Sequence, residues 1–281
     1  MNSPENNSCL CPQCKSILEP LHLIGNTDGL DGILSCFKCR ISFTCRNGIV
    51  SFIPKPEKNG FTRRMDFFRA VNRVFYTPLT NMMFSFCGGV DYARREVLDR
   101  LEIHPGAKIL ETGVGPGNNF PYLKERSTGI SFYGIDNQPG MLTQCRHNIK
   151  KWNLPCHLFL ANAEELPFRD NYFDVVFHLG AINIYQDKKK AIDEMIRVAR
   201  PGTRILIADE TQKAVHYFEF FIGKQPKVCP PVDLIPDAMK EIRLDTIWKG
   251  FGFLISFRKP LQTRQKTIQV PARKREFPLL Q

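Results

Sequence analysis

Two sets of residues in this chain have the types and spacing to do chemistry. The first is Glu111, Gly113, Gly115 and Gly117, in the run Lys108-Ile-Leu-Glu-Thr-Gly-Val-Gly-Pro-Gly-Asn118. The lead-in reads as a buried strand and the alternate glycines as a turn. Glycine permits positive φ and lets a ligand approach the backbone closely. A helix is expected from about Asn118, with its free N–H groups toward the ligand. Asp136 closes the next strand-like run, Ile130-Ser-Phe-Tyr-Gly-Ile135. An acid about 20 residues past such a turn is placed to grip two ribose hydroxyls. The second set is Cys11-Pro-Gln-Cys14 and Cys36-Phe-Lys-Cys39, two knuckles with 21 residues between them. Converging knuckles offer a metal four thiolates, the ligand set of a closed structural Zn2+ site. Iron could use the same donors, but nothing in the sequence argues for redox work. A closed site takes four ligands, so the nearby Cys9 and Cys45 read as bystanders.

The elements that must position these residues are legible in order. A dinucleotide fingerprint asks for Gly-x-Gly-x-x-Gly, whereas this chain has Gly113-x-Gly115-x-Gly117 behind Glu111, a spacing that fits S-adenosylmethionine better than NAD. Leu158-Phe-Leu-Ala-Asn reads as a strand ending in a polar turn, and Tyr172-Phe-Asp-Val-Val-Phe-His-Leu-Gly as a buried strand. Ala191 to Glu210 reads as an amphipathic helix, a Pro-Gly stop and a further buried strand. Asp91 to Leu101 reads as a structural helix, and Ile242 to Arg258 as a hairpin. Trp248 and Phe251 are expected to pack there.

With these runs in place, the chain resembles the class I S-adenosylmethionine-dependent methyltransferases, over roughly residues 88–257. Ala163-Glu-Glu-Leu-Pro-Phe-Arg-Asp-Asn-Tyr-Phe-Asp and Glu194-Met-Ile-Arg-Val-Ala-Arg-Pro-Gly make it most similar to the ubiquinone and menaquinone branch. The resemblance implies an α/β fold: a Rossmann-like seven-stranded sheet with helices on both faces, plus a small N-terminal zinc ribbon. It implies that Glu111, Gly113, Gly115 and Gly117 line the methionine end of S-adenosyl-L-methionine. Asp136 would take the ribose with Asn137 beside it, Met141 the adenine face, and Asn162 and Ala163 the adenine edge. His178 would sit near the transferring methyl. His178 and Asp209 are the candidate catalytic groups, and Glu210, Asn183 and Tyr185 candidate substrate contacts. Asp174 falls at the opposite strand end and reads as structural. No Asn/Asp-Pro-Pro-Tyr/Phe motif follows the fourth strand, which lowers a base-amine reading.

The expected organisation is a ribbon-like module over 1–53, a linker over 54–60 and a helical lid over 61–90. The cofactor domain then spans 91–257 and a basic tail 258–281. The lid would present Phe67, Phe68, Phe75, Tyr76, Met82, Met83 and Phe86. The formal charge is +11, and residues 258–281 hold seven bases against one acid. Such a tail suits an anionic lipid surface or nucleic acid, or is simply solvated. No apolar run of about 18 residues exists, and the N-terminus lacks a signal-peptide core, so a cytoplasmic protein, peripheral to a membrane at most, is expected. The expected function is methyl transfer to a small, apolar, quinone- or lipid-like acceptor. The alternatives are an RNA methyltransferase that reads RNA through the ribbon, and a non-catalytic cofactor- or partner-binding protein.

Overall fold

The structure, a computed structural model, describes residues 9–26, 29–53, 81–82, 84–222 and 227–261. The linker over 54–60 and residues 262–281 of the tail lie outside them. So do Phe67, Phe68, Phe75, Tyr76 and Met83 of the expected lid.

Seven strands form the Rossmann-like part: β5 (Lys108–Thr112), β6 (Ser131–Asp136), β7 (Cys156–Leu160), β8 (Val175–Leu179), β9 (Arg204–Glu210), β10 (Lys240–Ile247) and β11 (Gly252–Arg258). Four more precede them: β1 (Glu19–Asn26), β2 (Gly29–Cys36), β3 (Ile41–Arg46) and β4 (Ile49–Ser51). All eleven lie in one sheet, in the order β1-β2-β3-β4-β7-β6-β5-β8-β9-β11-β10. The strands from β4 and β7 through to β9 run parallel, while β11 is antiparallel to both β9 and β10. Central parallel strands are covered on both faces, so they must be apolar throughout. Accordingly β8 is buried at all five positions.

The helices are α1 (Val90–Leu98), α2 (Phe120–Lys124), α3 (Pro139–Lys151), α4 (Lys188–Val198) and α5 (Gln212–Ile222). Alternate strand residues feed two cores. Leu110 and Val176 join Ala191, Ile192, Met195 and Val198 of α4 on one face. Ile109, Val175 and Phe177 join Val97 and Leu98 of α1 with Leu142, Cys145 and Ile149 of α3 on the other. The α4 entry is capped by Asp187, whose carboxylate accepts from Lys190 N at 2.9 Å. The short α2 begins two residues later than the glycine turn suggested. The side chain that precedes it, Asn119, makes no cap and is bound elsewhere.

The N-terminal four-stranded segment, where the sequence leads one to expect the ribbon, docks on the β7 edge. Ile49, Val50 and Ser51 pair with Leu158, Phe159 and Leu160, and Phe52 N donates to Leu160 O at 2.8 Å. Cys9, Cys11, Leu18, Leu34, Cys36, Cys45, Val50 and Phe52 share the α4-side core with Phe159, Phe168 and Phe173. The four ribbon strands thus extend the seven-stranded sheet, and the ribbon's apolar side is completed by the larger domain. No helix among the described residues is long and apolar enough to cross a membrane.

Candidate active site

The parallel strands end at one edge, where two cavities meet. One, of about 460 Å³, is lined by Asp136, Asn137, Gln138, Asn162, Ala163 and Tyr185, among others. The other, of about 230 Å³, is lined by Phe84, Arg94, Glu111, Asn119, Glu210 and Trp248, among others. Gly113, Ala181 and Ile184 border both. Placement beyond the carboxyl ends of parallel strands is where open α/β sheets bind ligands.

In the larger cavity, Asp136 ends β6 with both carboxylate oxygens engaged. Gly115 N donates to Oδ2 at 2.9 Å and Gln138 N to Oδ1 at 2.8 Å. Burial raises its pKa, and these backbone donors pull the other way. The carboxylate is therefore fixed in orientation, with spare lone pairs toward the cavity. Asn162 is exposed at the rim, at the entry to a 3-10 turn over Ala163–Glu165.

In the smaller cavity, Glu111 is buried on β5. Its Oε1 accepts from Asn119 Nδ2 at 2.6 Å, and Asn119 Oδ1 accepts from Arg94 Nη1 in turn. Oε2 is buried without a hydrogen bond among the described residues. Burial pushes the Glu111 carboxyl up to about 8, against the pull of Asn119 and Arg94. A buried acceptor without a partner is costly. It marks the place where a cationic or donor group of a ligand would be held.

The three glycines divide their work. All have positive φ. A Cβ on Gly113 would stand 3.1 Å from the Tyr185 hydroxyl and 3.2 Å from His178 Cε1. One on Gly117 would stand 2.7 Å from Cys145 Sγ of α3, so Gly117 is a helix-packing glycine, and it lines neither cavity. Gly115 has open space before it and gives its N–H to Asp136. Gly113 alone of the three borders the cavities.

Three further sequence candidates stand off the cavity walls or hold them indirectly. His178 is fully buried beneath Gly113. Its Nδ1 donates to Thr112 O at 2.7 Å, and burial lowers its pKa. The imidazole is therefore neutral, and it supports the glycine turn from below instead of facing a substrate. Met141 is buried in α3 and lines neither cavity. Asp209 borders the smaller cavity, but its carboxylate accepts from Asn183 N at 2.8 Å, Ala181 N at 3.3 Å and Glu210 N at 2.8 Å. It thereby holds the 180–184 loop between the cavities, including Ala181 at φ 149°. Asn183 and Tyr185 line the smaller and the larger cavity respectively. Asp174 lies at the other end of the sheet, where it accepts from Lys108 N and pairs with Arg200.

Arg94, Asn119, Phe84 and Trp248 are cavity residues that the sequence did not flag. One signal was available for Arg94. It falls on the buried stripe of α1 with Ala93, Val97 and Leu98, where a guanidinium must have a partner. Trp248 is held by Nε1 donating to Ala93 O at 2.9 Å and packs edge-on against Phe84. Of the lid residues within the described part, Phe86 is exposed and meets Tyr217 of α5 at 5.7 Å.

The four knuckle sulfurs, of Cys11, Cys14, Cys36 and Cys39, all lie within 4.8 Å of one another. A tetrahedral zinc–thiolate site places them about 3.8 Å apart. Both knuckles make the same turn. Lys15 N donates to Cys11 O and Arg40 N to Cys36 O, each at 2.8 Å, and Lys15 and Arg40 have φ of 57° and 56°. Hydrogen bonding by Ser16 lowers the Cys14 thiol to about 6, and its bond to Cys14 raises Cys39 to about 12. A dication at the centre would relieve that conflict, so the donor set fits a metal. Cys9 and Cys45 are buried outside this group.

A sheet of this order, with a carboxylate-bearing cleft split by a glycine turn, defines a nucleoside-cofactor α/β enzyme fold. Residues 110–207 match the family model described as "Methyltransferase domain". The demethylmenaquinone methyltransferase of Corynebacterium efficiens is 32% identical over 167 residues, covering 57% of this chain and 68% of that protein. That of Thermus thermophilus is 34% identical over 131 residues, covering 47% and 59%. The Vibrio cholerae ubiquinone/menaquinone biosynthesis C-methyltransferase is 33% identical over 121 residues, covering 41% and 46%. The chain thus spans about half to two thirds of the length of these relatives. It belongs to the class I S-adenosylmethionine-dependent methyltransferase family. Solved structures agree on the fold. A chain from the complex between the Haloferax volcanii Trm112 methyltransferase activator and the putative methyltransferase superposes with a TM-score of 0.55 at 17% identity, covering 73% of this chain and 100% of that one. A putative S-adenosylmethionine-dependent methyltransferase from Methanococcus maripaludis gives 0.52 at 15%, covering 75% and 99%.

Proposed function

We propose that the chain transfers a methyl group from S-adenosylmethionine to a small acceptor with an apolar body, of the quinone- or lipid-like kind. The observation that carries this reading is the paired cavity. Its larger half holds an oriented carboxylate, Asp136, and its smaller half joins an orphaned carboxyl oxygen to walls of Phe84, Leu179, Ile184 and Trp248. The quinone methyltransferase relatives support the acceptor class.

Asp136 would accept from both ribose hydroxyls, and Asn162 with Ala163 would border the adenine. Glu111 would receive the methionine ammonium on Oε2, held in line by Asn119 and Arg94. Gly113 leaves the backbone bare beside the cofactor, Gly115 orients Asp136 through its N–H, and Tyr185 with His178 supports Gly113 from beneath. The bound cofactor supplies a sulfonium methyl already activated for displacement, so the protein's share is chiefly positioning. Ala181 and Ile184, fixed through Asp209, separate the two halves and would set the angle of approach. Glu210, whose carboxyl is pushed well above the usual range by burial and by the neighbouring Asp209 carboxylate, borders the smaller cavity and would face an acceptor oxygen there. In the ribbon, we assign Zn2+ to Cys11, Cys14, Cys36 and Cys39, as a structural ion.

The test is transfer of label from methyl-labelled S-adenosylmethionine into a lysate of cells lacking the protein, separated into organic-soluble metabolites and RNA. Label in the organic fraction is expected. Label in RNA would replace this reading with the RNA-directed one. Cofactor binding without label in either fraction would favour the non-catalytic reading.

A further inference from the structure

Besides pairing on β7, the ribbon touches the larger domain along a second segment. Residues 161–168 carry Asn162, Ala163, Glu164 and Glu165, which line the larger cavity, and then run on into the ribbon contact. Leu10 N donates to Pro167 O at 2.8 Å, and Cys9 bridges Phe168 as an antiparallel pair. Lys15 Nζ reaches Leu166 O at 3.5 Å and Glu194 at 3.6 Å. The residues making these contacts, 9, 10 and 15, flank the first knuckle, and Lys15 occupies its left-handed position. From the other side, Glu194 of α4 accepts from Leu166 N at 2.7 Å, and Arg197 donates to Leu166 O and Phe168 O. The wall of the larger cavity is therefore clamped between the first knuckle and α4.

We infer that the metal-loaded first knuckle is a positioning element of the cofactor site: it holds the 161–168 segment in the conformation that completes the larger cavity. Lys15 and the backbone of Leu10 act through that segment and touch no ligand. The inference rests on the reading of the larger cavity as the adenosine half of the S-adenosylmethionine site. Without the ion, the Cys11–Lys15 turn loses the covalent frame that fixes its direction, and the hydrogen bonds to 166–168 lose their partners' geometry. The methionine half leans on Arg94, Asn119 and β5, which have no ribbon contact among these bonds. Metal removal should therefore weaken the adenosine half selectively.

The experiment measures binding of S-adenosylhomocysteine to the full chain by calorimetry, before and after chelation, with hydrogen exchange followed in parallel. About a tenfold rise in Kd is expected on chelation. Amides of 162–168 should lose protection while those of 109–119 keep it, and zinc added back should restore both. If chelation unfolds the whole chain, the metal-replete variants Lys15→Met and Leu10→Pro decide. Each should raise Kd about twofold to fivefold with unchanged zinc content and loss of protection confined to 162–168. An unchanged Kd in metal-free folded protein, or in both variants, overturns the inference. Failure of the metal-replete wild type to bind S-adenosylhomocysteine would instead sink the cofactor reading itself.

Discussion

The two halves of the cleft treat their carboxylates in opposite ways. Asp136 meets the ligand space with both oxygens already bound by backbone N–H groups of Gly115 and Gln138. Glu111 meets it with one oxygen held by Asn119 and the other without a hydrogen bond among the described residues. A carboxylate pre-bound by backbone is oriented and needs no reorganisation when it accepts from neutral hydroxyls. A bare one in a buried site holds its proton until a cation arrives. The cleft thus offers one half for a neutral polar group and the other for a positive one, which is how an asymmetric ligand can be bound in a single direction.

The change expected to break this contrast most is Asp136→Ala. It removes the proposed ribose acceptor and frees Gly115 N and Gln138 N together. S-adenosylhomocysteine affinity should fall at least about a hundredfold by calorimetry; an unchanged value would take the ribose out of the larger cavity. Gly117→Ala should leave the cleft chemistry alone and act on the fold. Its Cβ would press on Cys145 at a φ of 78°, so stability in denaturant should drop by about 2 kcal/mol. Gly115→Ala, facing open space, should cost about 1 kcal/mol from its backbone conformation alone.

Arg94→Met tests the support behind Glu111. Without the guanidinium, Asn119 is free to turn, and affinity should fall about tenfold, or 1.4 kcal/mol, with little change in Asp136-dependent adenosine binding. Glu111→Gln has the smallest effect at neutral pH and the clearest signature. The wild-type carboxyl, raised to about 8, is mostly protonated at pH 7 in the free protein. A cationic ligand must drive its proton off, so affinity should climb from pH 6 to about 8 and then level, with proton release at pH 7 seen in buffers of different ionisation enthalpy. The variant should lose only about threefold at pH 7 and show no such climb. The sign for stability is the reverse of an ordinary carboxylate. The folded pKa lies above the unfolded one, so the folded state binds more protons between about 4.5 and 8, and ligand-free wild type loses stability as pH rises through that window. The Tm of Glu111→Gln should therefore fall less over that range.

The strands and the glycine turn could be read in advance because each depends on its own residues. An apolar five-residue run such as Val175–Leu179 and an acid at a strand end carry their signals locally. Arg94, Asn119 and Trp248 could not be placed that way, since each enters the cleft through a partner far along the chain: 25 residues from Arg94 to Asn119, and 155 from Ala93 to Trp248. His178 and Asp209 drew attention as ionisable groups at strand ends. The sequence could not say that one would lie under the turn and the other be occupied by three backbone amides. The ribbon was visible through its cysteines, but its pairing on β7 is made by main-chain groups, which leave no residue-type signature. Of the apolar lid, only Met82 and Phe86 fall among the described residues.

The pairing of Ser51 with Leu160 has a consequence in time. The ribbon leaves the ribosome about a hundred residues before its docking edge does. At roughly 5–20 residues per second, that is a wait of about 5–20 s. Val50 and Phe52, which finish in the shared core, spend that interval without their partners on β7. Early capture of the ion would give the nascent ribbon a shape of its own through the delay, with β4 left as an open template until the strand meant for it has been made.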